Sequence, residues 1–196
     1  MENKNERPKA PLWKGKHSVT SVMGLIVIAL FMYFTSGEDL EEPSATGFIP
    51  VELVKTIDGD TIRIMYEGKE RKLRYLLIDT PELNHKQQGT QPFAEEATNR
   101  NDELLKSGKV EIEFDIGERE DKYGRLLAYV YVDGKSVQQQ LVEEGLARVA
   151  YIYPPNTKHL DPFKEAEEQA QQAGIGIWSI EDYVTNRGFI SGTDNN

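Results

Sequence analysis

Residues 51–82 read VELVKTIDGDTIRIMYEGKERKLRYLLIDTPE, and this stretch decides the fold. Its β-branched runs are short, and turn sequences separate them at residues 58–59 (DG) and 67–69 (EGK). Such turns favour tight reversals between antiparallel strands. The third run ends at residues 80–81 (TP), because proline has no N–H to donate to a ladder. The stretch therefore predicts a meander of three strands.

The chain beyond this meander continues with helices and two more strands. A proline-initiated amphipathic stretch predicts a helix over residues 92–107, and the runs KVEIEF and LLAYVYV predict strands on either side of the polar loop DIGEREDKYGR. Further helices are predicted near residues 137–144 and over residues 162–173. The pattern suits an α+β, mostly β fold, namely a five-stranded barrel of the OB type with three helices.

The amino-terminal part of the chain is organised differently. Residues 1–17 form a basic, polar tail, residues 18–37 carry no charge, and residues 38–46 form an acidic linker. A basic flank before an apolar segment predicts a transmembrane anchor or a cleaved signal, and a poor cleavage site favours the anchor. We expect the domain, residues 47–184, to lie outside the cell at the membrane, with secretion as the alternative. Residues 185–196 are predicted to form a carboxy-terminal tail.

The composition excludes several kinds of functional site. The sequence contains no cysteine, which excludes disulfides, zinc–thiolate sites and cysteine nucleophiles. Its three histidines are far apart and share no ligand spacing, so a bound metal would be held by oxygen. From Glu38 onward, 18 Lys+Arg stand against 31 Asp+Glu, a net charge of −13. This balance argues against a scaffold that coats long nucleic acid, but not against a local phosphate site.

Two short segments concentrate oxygen ligands at predicted strand ends. The segments IDGDT and IDTPE contain Asp58, Asp60 and Thr61, and Asp79, Thr80 and Glu82, respectively. A barrel brings the ends of distant strands together, and one or two carboxylates with a backbone carbonyl and water suit calcium. Ordinary turn aspartates are the alternative interpretation of either segment alone.

Two arginines accompany these carboxylates. Arg74 lies in the third strand, five residues before Asp79, and Arg125 ends the segment DKYGR. Phosphodiester hydrolysis builds negative charge on the phosphate oxygens, and a forked guanidinium group can meet two of them at once. A solvent-facing strand arginine and a turn arginine are the alternative interpretations.

Four segments of the chain together resemble staphylococcal nuclease. They are VKTIDGDTIRIMYEGKERKLRYLLIDTPE, DIGEREDKYGRLLAYVYVDGK, LVEEGLARVAYIYPPN and the closing GIW. The resemblance covers about residues 51–179, and the motifs keep the family's order and approximate spacing. It implies an OB barrel with three helices and a calcium-dependent enzyme that cleaves DNA and RNA to products ending in a 3′-phosphate. We expect a monomer with no obligate protein partner.

Matched residue by residue, the resemblance implies a metal site and a phosphate clamp. The implied calcium ligands are the carboxylates of Asp60 and Asp79 and the carbonyl of Thr80. Glu82 would hold a metal-bound water and act as the general base, or help to orient it. Arg74 and Arg125 would clamp the phosphate, and Arg125 would also assist the leaving oxygen.

The resemblance also implies a nucleotide-binding set. Lys122 and Tyr123 match a second phosphate contact, and Tyr151 and Tyr153 match nucleoside-facing tyrosines. In an extended segment, side chains two residues apart point the same way, so this tyrosine pair could stack on a base. Ordinary barrel aromatics are the alternative for the pair. Supporting positions close to the metal ligands are implied for Asp58 and Thr61.

The chain departs from the family's best-known member in its charge. Its loop ELNHKQQGTQPFAEEA has glutamine and threonine where that member has several lysines, and the domain is acidic. Affinity for long DNA is therefore open, whereas the catalytic set is complete. We expect His85 to be a solvated loop residue and Trp178 to belong to the core. A catalytically inactive OB-type module that binds nucleic acid or protein is the competing function, and it would have no reason to keep the full set of carboxylates and arginines.

Overall fold

The computed structural model describes residues 47–190. The predicted basic tail (1–17), hydrophobic segment (18–37) and acidic linker (38–46) lie outside the described residues, as does the end of the chain from residue 191. Within residues 47–190, no helix combines the length and the apolar character that crossing a bilayer requires.

The strands of the described domain form one large sheet and two small ones. In chain order they are β1 (Ile49–Pro50), β2 (Glu52–Thr56), β3 (Thr61–Tyr66), β4 (Lys69–Tyr75), β5 (Ile78–Asp79), β6 (Val110–Glu113), β7 (Leu126–Val132), β8 (Lys135–Ser136), β9 (Arg148–Val149), β10 (Val184–Thr185) and β11 (Gly188–Phe189). The large sheet has the order β1-β6-β7-β4-β3-β2, with β8 paired to β7. The pairs β5-β9 and β10-β11 are separate.

A single stretch of chain closes the large sheet into a barrel. Only Val51 separates β1, which pairs with β6, from β2, which pairs with β3. The two edges of the sheet are therefore joined through one bent segment, as in a small closed barrel. The five predicted strands are confirmed as β2, β3, β4, β6 and β7, and the mostly β architecture is confirmed with them. The third strand ends earlier than predicted, because Leu77 has a left-handed φ of 66° and residues 78–79 form the separate strand β5.

Two tight turns set the register of the hairpins. Glu67 and Gly68 connect β3 to β4 with φ values of 50° and 71°, and Asp133 and Gly134 connect β7 to β8 with 48° and 77°. Two successive left-handed residues make the turn whose twist matches that of the flanking strands. The β3-β4 register places Thr61 opposite Arg74.

The three predicted helices are confirmed, with shifted starts for the first and the third. They are α1 (Ala94–Lys106), α2 (Val137–Glu143) and α3 (Leu160–Ala173). Helix α1 begins two residues after Pro92, because Phe93 adopts a left-handed conformation with φ 65°. Helix α3 begins two residues before Pro162, which lies in the first turn, where a missing N–H breaks no helical hydrogen bond.

The core has a main part inside the barrel and a smaller one at the carboxy-terminal end. The smaller cluster contains Ile177, Tyr183 and Phe189, and Trp178 packs against it, as expected for a core residue. The prediction of a tail from residue 185 is wrong for the part described, because β10 and β11 form a hairpin over residues 184–189. The buried Phe189 ring anchors this hairpin, whose two-residue strands are too short for a periodic signal.

Candidate active site

The predicted carboxylates and Arg74 meet at one end of the barrel. Asp60 directly precedes β3, Arg74 lies near the end of β4, and Asp79 ends β5. The backbone N–H of Tyr75 donates to the carbonyl of Asp60 at 2.9 Å, which ties the start of β3 to the end of β4. The strand order therefore brings together residues from the IDGDT and IDTPE segments.

Asp60 is held by hydrogen bonds on both carboxylate oxygens. Its side chain is almost fully buried. Oδ2 accepts from the backbone N–H and the hydroxyl of Thr80, at 3.0 and 3.1 Å, and Oδ1 accepts from the hydroxyl of Thr61 at 3.0 Å. Arg74 Nη2 lies 3.0 Å from Oδ2. Thr61 and Thr80 therefore fix one orientation of this carboxylate.

Asp79 lies between two guanidinium groups. Arg74 Nη2 is 3.4 Å from its Oδ1, and Arg148 contacts its Oδ2 through Nε at 3.0 Å and Nη2 at 2.9 Å. Arg148 is only 7% exposed and lies opposite Asp79 in the β5-β9 register. Arg148 could not be identified from the sequence, because no local pattern relates it to a residue 69 positions earlier.

Asp58 supports Asp60 from the adjacent turn. Its Oδ1 accepts the backbone N–H of Asp60 at 3.1 Å, and its carbonyl accepts a hydrogen bond from the buried Asn101 side chain at 2.9 Å. Burial, followed by the negative charge of Asp60, raises the pKa of Asp58 to about 7. The structure thus places Asp58 and Thr61 beside Asp60, where supporting positions were predicted.

Glu82 lies at the exposed edge of this cluster, and Gln91 holds its backbone. The buried Gln91 side chain accepts the backbone N–H of Glu82 at 2.8 Å, and the N–H of Gln91 donates to the carbonyl of Glu82 at 3.0 Å. Burial and the charge of Asp60 raise the pKa of Glu82 above its ordinary value. Gln91 could not be identified from the sequence either, because its loop has no periodic pattern.

His85 lies in the same loop and is half-buried rather than fully solvated. Its backbone exchanges two hydrogen bonds with Gly89, at 2.8 and 2.9 Å, which close the loop upon itself. Together with Glu82, it lines a shallow hollow of about 470 Å³. His85 is therefore a loop residue, as expected, and its ring is only partly open to solvent.

Arg125 is oriented by Asp121, and both residues lie in the loop between β6 and β7. Asp121 Oδ2 accepts from Arg125 Nε at 2.7 Å, and its Oδ1 accepts the backbone N–H groups of Tyr123 and Arg125, at 2.8 and 3.0 Å. The Tyr123 ring lies near two cations, with Lys122 Nζ at 5.1 Å and Arg125 Cζ at 5.8 Å from its centroid. The loop therefore presents its cations around one exposed aromatic ring.

The two predicted nucleoside-binding tyrosines are both exposed. Arg74 Cζ lies 5.4 Å from the centroid of the Tyr151 ring. The expectation of a regular extended segment is wrong at this point, because Tyr151 has a φ of 53°. Tyr153 nevertheless lines the same cleft as Tyr151.

A cleft of about 820 Å³ connects these groups. Its predicted members are Arg74, Glu82, Lys122, Tyr123, Arg125, Tyr151 and Tyr153. The parallel pairing of β4 with β7 places Arg74 opposite Leu127, two residues after Arg125, so both arginines reach one opening. Three further carboxylates also line the cleft, those of Glu118, Glu120 and Asp121.

The carboxylates of Asp60 and Asp79 fit a hard cation. One oxygen of each lies within 3.4 Å of the same nitrogen of Arg74, so the two side chains converge. After burial, the negative charge of Asp60 is the main influence that raises the pKa values of Asp58, Asp79 and Glu82. A divalent cation would relieve this repulsion. Within residues 47–190, no group of three or more carboxylate or imidazole side chains is arranged around a metal position; the predicted ligand set needs two carboxylates, completed by a carbonyl and water.

Comparison with known proteins gives a consistent result. The family model described as "Staphylococcal nuclease homologue" matches residues 72–180. Endonuclease YncB of Bacillus subtilis (strain 168) is 57% identical over 141 residues, which are 72% of this chain and 67% of that protein. The SPbeta prophage-derived endonuclease YokF of the same organism is also 57% identical over 141 residues, but these cover 48% of its length. The Thermonuclease of Staphylococcus intermedius is 36% identical over 154 residues, 78% of this chain and 90% of the relative.

Proposed function

The chain belongs to the staphylococcal nuclease family, and from that premise we propose that it is a calcium-dependent nuclease that cleaves DNA and RNA to products ending in a 3′-phosphate. One observation carries the proposal. Arg74, Arg125 and Glu82 line a single cleft, and Arg74 also contacts both Asp60 and Asp79. Phosphate-binding groups, a candidate base and candidate metal carboxylates are thus neighbours.

The arginines account for binding and charge stabilisation. Each guanidinium can donate to two phosphate oxygens, and such donors act most strongly when they are held in place before the substrate arrives. Arg74 is held by Asp60 and Asp79, and Arg125 is held by Asp121. Cleavage that leaves a 3′-phosphate breaks the bond from phosphorus to the 5′ oxygen, and a guanidinium beside that oxygen stabilises its developing charge.

Glu82 is the group suited to accept a proton from the attacking water. It lines the cleft, and its raised pKa brings it closer to the working range of a general base. Asp60, Asp79 and the carbonyl of Thr80 would hold calcium beside it. The ion would supply positive charge next to the phosphate and make a neighbouring water more acidic. Tyr151 and Tyr153 offer exposed ring faces for stacking on a base.

The test is digestion of plasmid DNA and RNA by the purified chain with calcium, with magnesium alone and with a chelator. We expect turnover with calcium and little with magnesium, which demands a more rigid octahedral set of ligands. Full activity in the chelator, or equal rates with magnesium, would refute calcium dependence. Binding of nucleic acid without cleavage would instead support the inactive binding module.

The two arginines can be tested with a matched control. Arg74→Lys and Arg125→Lys keep the positive charge but lose the guanidinium group that can donate to two phosphate oxygens at once. Each substitution should therefore lower kcat by roughly 10²-fold or more. Arg63→Lys is the control, because Arg63 pairs with Glu70 on the hairpin away from the cleft. Unchanged turnover in either cleft variant would remove that arginine from the mechanism.

We also propose that the domain acts outside the cell, attached to the membrane through residues 18–37. Basic residues flank only the amino side of this segment, and positive flanks tend to stay in the cytoplasm. Calcium at extracellular, millimolar levels would also fill a weak site. Protease added to cells without their wall should digest the domain. Survival of the domain until lysis would refute this orientation, and active domain in the medium would indicate a cleaved signal.

A further inference from the structure

The carboxy-terminal hairpin, residues 184–189, packs beside the candidate active site and contacts it through Phe189. The buried Tyr183 hydroxyl donates to the carbonyl of Pro92 at 2.6 Å, and the N–H of Ile190 donates to the carbonyl of Tyr183 at 2.9 Å. Between these anchors, Phe189 is 8% exposed and pairs with Val184 across the hairpin. The hairpin therefore has a fixed position relative to the loop that leads into α1.

The ring of Phe189 contacts the residue that holds Asp79. Arg148 Cζ lies 5.7 Å from the centroid of the ring, within the range of a cation–π interaction. Through Nε and Nη2, the same guanidinium donates to Asp79 Oδ2. An aromatic face on one side and a carboxylate on the other restrict Arg148 to one orientation.

The carbonyl of Phe189 contacts the residue that holds Glu82. Gln91 Nε2 donates to this carbonyl at 3.4 Å, while Gln91 Oε1 accepts the backbone N–H of Glu82. Gln91 is 4% exposed, so its amide depends on protein partners. One residue of the hairpin thus contacts both side chains that orient the candidate metal and base segments.

We propose that Phe189 is a positioning residue for the nuclease reaction and that its ring acts on Asp79 through Arg148. Its backbone carbonyl, which side-chain substitutions leave in place, contacts Gln91 beside Glu82. This inference rests on the proposed function of Asp79 and Glu82. Partners that orient metal ligands and catalytic groups from behind typically contribute 10- to 100-fold to affinity or activity. The aromatic face is the essential feature, because an aliphatic side chain fills the same space without attracting the guanidinium.

The experiment compares Phe189→Leu and Phe189→Tyr in the full-length chain, purified in detergent. Phe189→Leu keeps an apolar side chain in the small cluster but removes the ring, whereas Phe189→Tyr restores it. The neighbouring, exposed Ile190 provides the control Ile190→Ala. Readouts are kcat and KM on a labelled oligonucleotide, calcium affinity by calorimetry without substrate, and the thermal unfolding midpoint without calcium.

We expect Phe189→Leu to lower kcat about 10-fold and weaken calcium binding by a similar factor, with KM within about twofold of the original. Phe189→Tyr should restore both quantities, and Ile190→Ala should leave both unchanged. If Phe189→Leu matches the unaltered chain, or if Phe189→Tyr is as impaired as Phe189→Leu, the inference is overturned. A change confined to the unfolding midpoint would also overturn it, because that result indicates packing alone.

A double-mutant cycle tests the route through Arg148. If the ring acts through that guanidinium, Phe189→Leu should have little further effect on kcat in an Arg148→Gln background. Full additivity would overturn this route. Failure of the unaltered chain to digest nucleic acid with calcium would overturn the proposed function and this inference together, whereas an active chain insensitive to Phe189→Leu overturns the inference alone.

Discussion

Asp121→Asn should weaken catalysis without unfolding the domain. Asp121 accepts three hydrogen bonds, two from backbone N–H groups at its Oδ1 and one from Arg125 Nε at its Oδ2. Asparagine can retain an oxygen for the backbone groups, but its NH₂ would then face the Nε–H donor. The substitution therefore removes the contact that orients Arg125 and leaves the loop's own hydrogen bonds in place.

The size of the effect follows from the exposure of the pair. A hydrogen bond to a charged group contributes about 1.5–3 kcal/mol, and solvent screening reduces this to about 1–2 kcal/mol at a pair whose side chains are 33% and 16% exposed. If that energy orients Arg125 in the transition state, kcat should fall roughly 5- to 30-fold. Since the substrate phosphate still meets the same cations, KM should change less.

Steady-state kinetics on a fluorescent oligonucleotide with saturating calcium would measure both constants. Asp102→Asn is the matched control, because Asp102 forms the same kind of i,i+4 ion pair, with Lys106, on the surface of α1. A kcat of Asp121→Asn within twofold of the unaltered chain would refute the argument. So would an equal loss in the Asp102→Asn control.

Two further predictions concern stability. Burial alone would raise the pKa of Glu113, but hydrogen bonds from Lys158 and His159 outweigh it and lower the pKa below its ordinary value of 4.5. The resulting stabilisation is present above pH 4.5 and is lost as the pH falls through the lower pKa of Glu113 in the folded protein. The Glu113→Gln variant should therefore unfold at a lower temperature than the unaltered chain, and this difference should shrink below pH 4.5. A difference that stays constant with pH would contradict the prediction. Gly176→Ala should lower the free energy of unfolding by about 2 kcal/mol or more in denaturant titration, because its Cβ would lie 2.0 Å from the carbonyl oxygen of Gly145 at a φ of +56°. The control Gly174→Ala, which has a similar φ and open space around the Cβ, should lower it by only about 1 kcal/mol. Equal losses in the two variants would show that the close approach is unimportant.

The features that sequence reasoning recovered have local causes. The turn at Glu67 and Gly68 can be predicted because glycine readily accepts a left-handed conformation and a β-branched run, residues 61–66, precedes it. Asp60 and Asp79 can be predicted as neighbours because each stands at a strand end. Their roles as metal ligands stay predictions that rest on the family resemblance, because the chemistry of the residues alone is also compatible with ordinary turn aspartates.

The features that escaped have causes that are distant along the chain. Arg148 and Asp79 are paired by strands of only two residues, too short for any periodic pattern. Phe189 lies in a polar stretch that resembles a tail, and its burial depends on packing against the cluster that includes Tyr183. The sequence around Tyr151 predicts an extended segment in which Tyr151 and Tyr153 point the same way. Tyr151 is left-handed instead, so the local β-type sequence did not determine its backbone conformation.

The parallel pairing of β4 with β7 governs when activity can appear during folding. It joins Leu73 to Leu126 and Arg74 to Leu127, so the paired residues are 53 positions apart along the chain (126 − 73). Closing a loop of this length costs about 3.5 kcal/mol of chain entropy. The β3-β4 and β7-β8 hairpins are local and can form before it. A partly folded chain therefore holds Arg74 and Arg125 on separate hairpins and cannot grip one phosphate with both. Recovery of cleavage after dilution from denaturant would follow formation of this one ladder rather than the gain of total β structure.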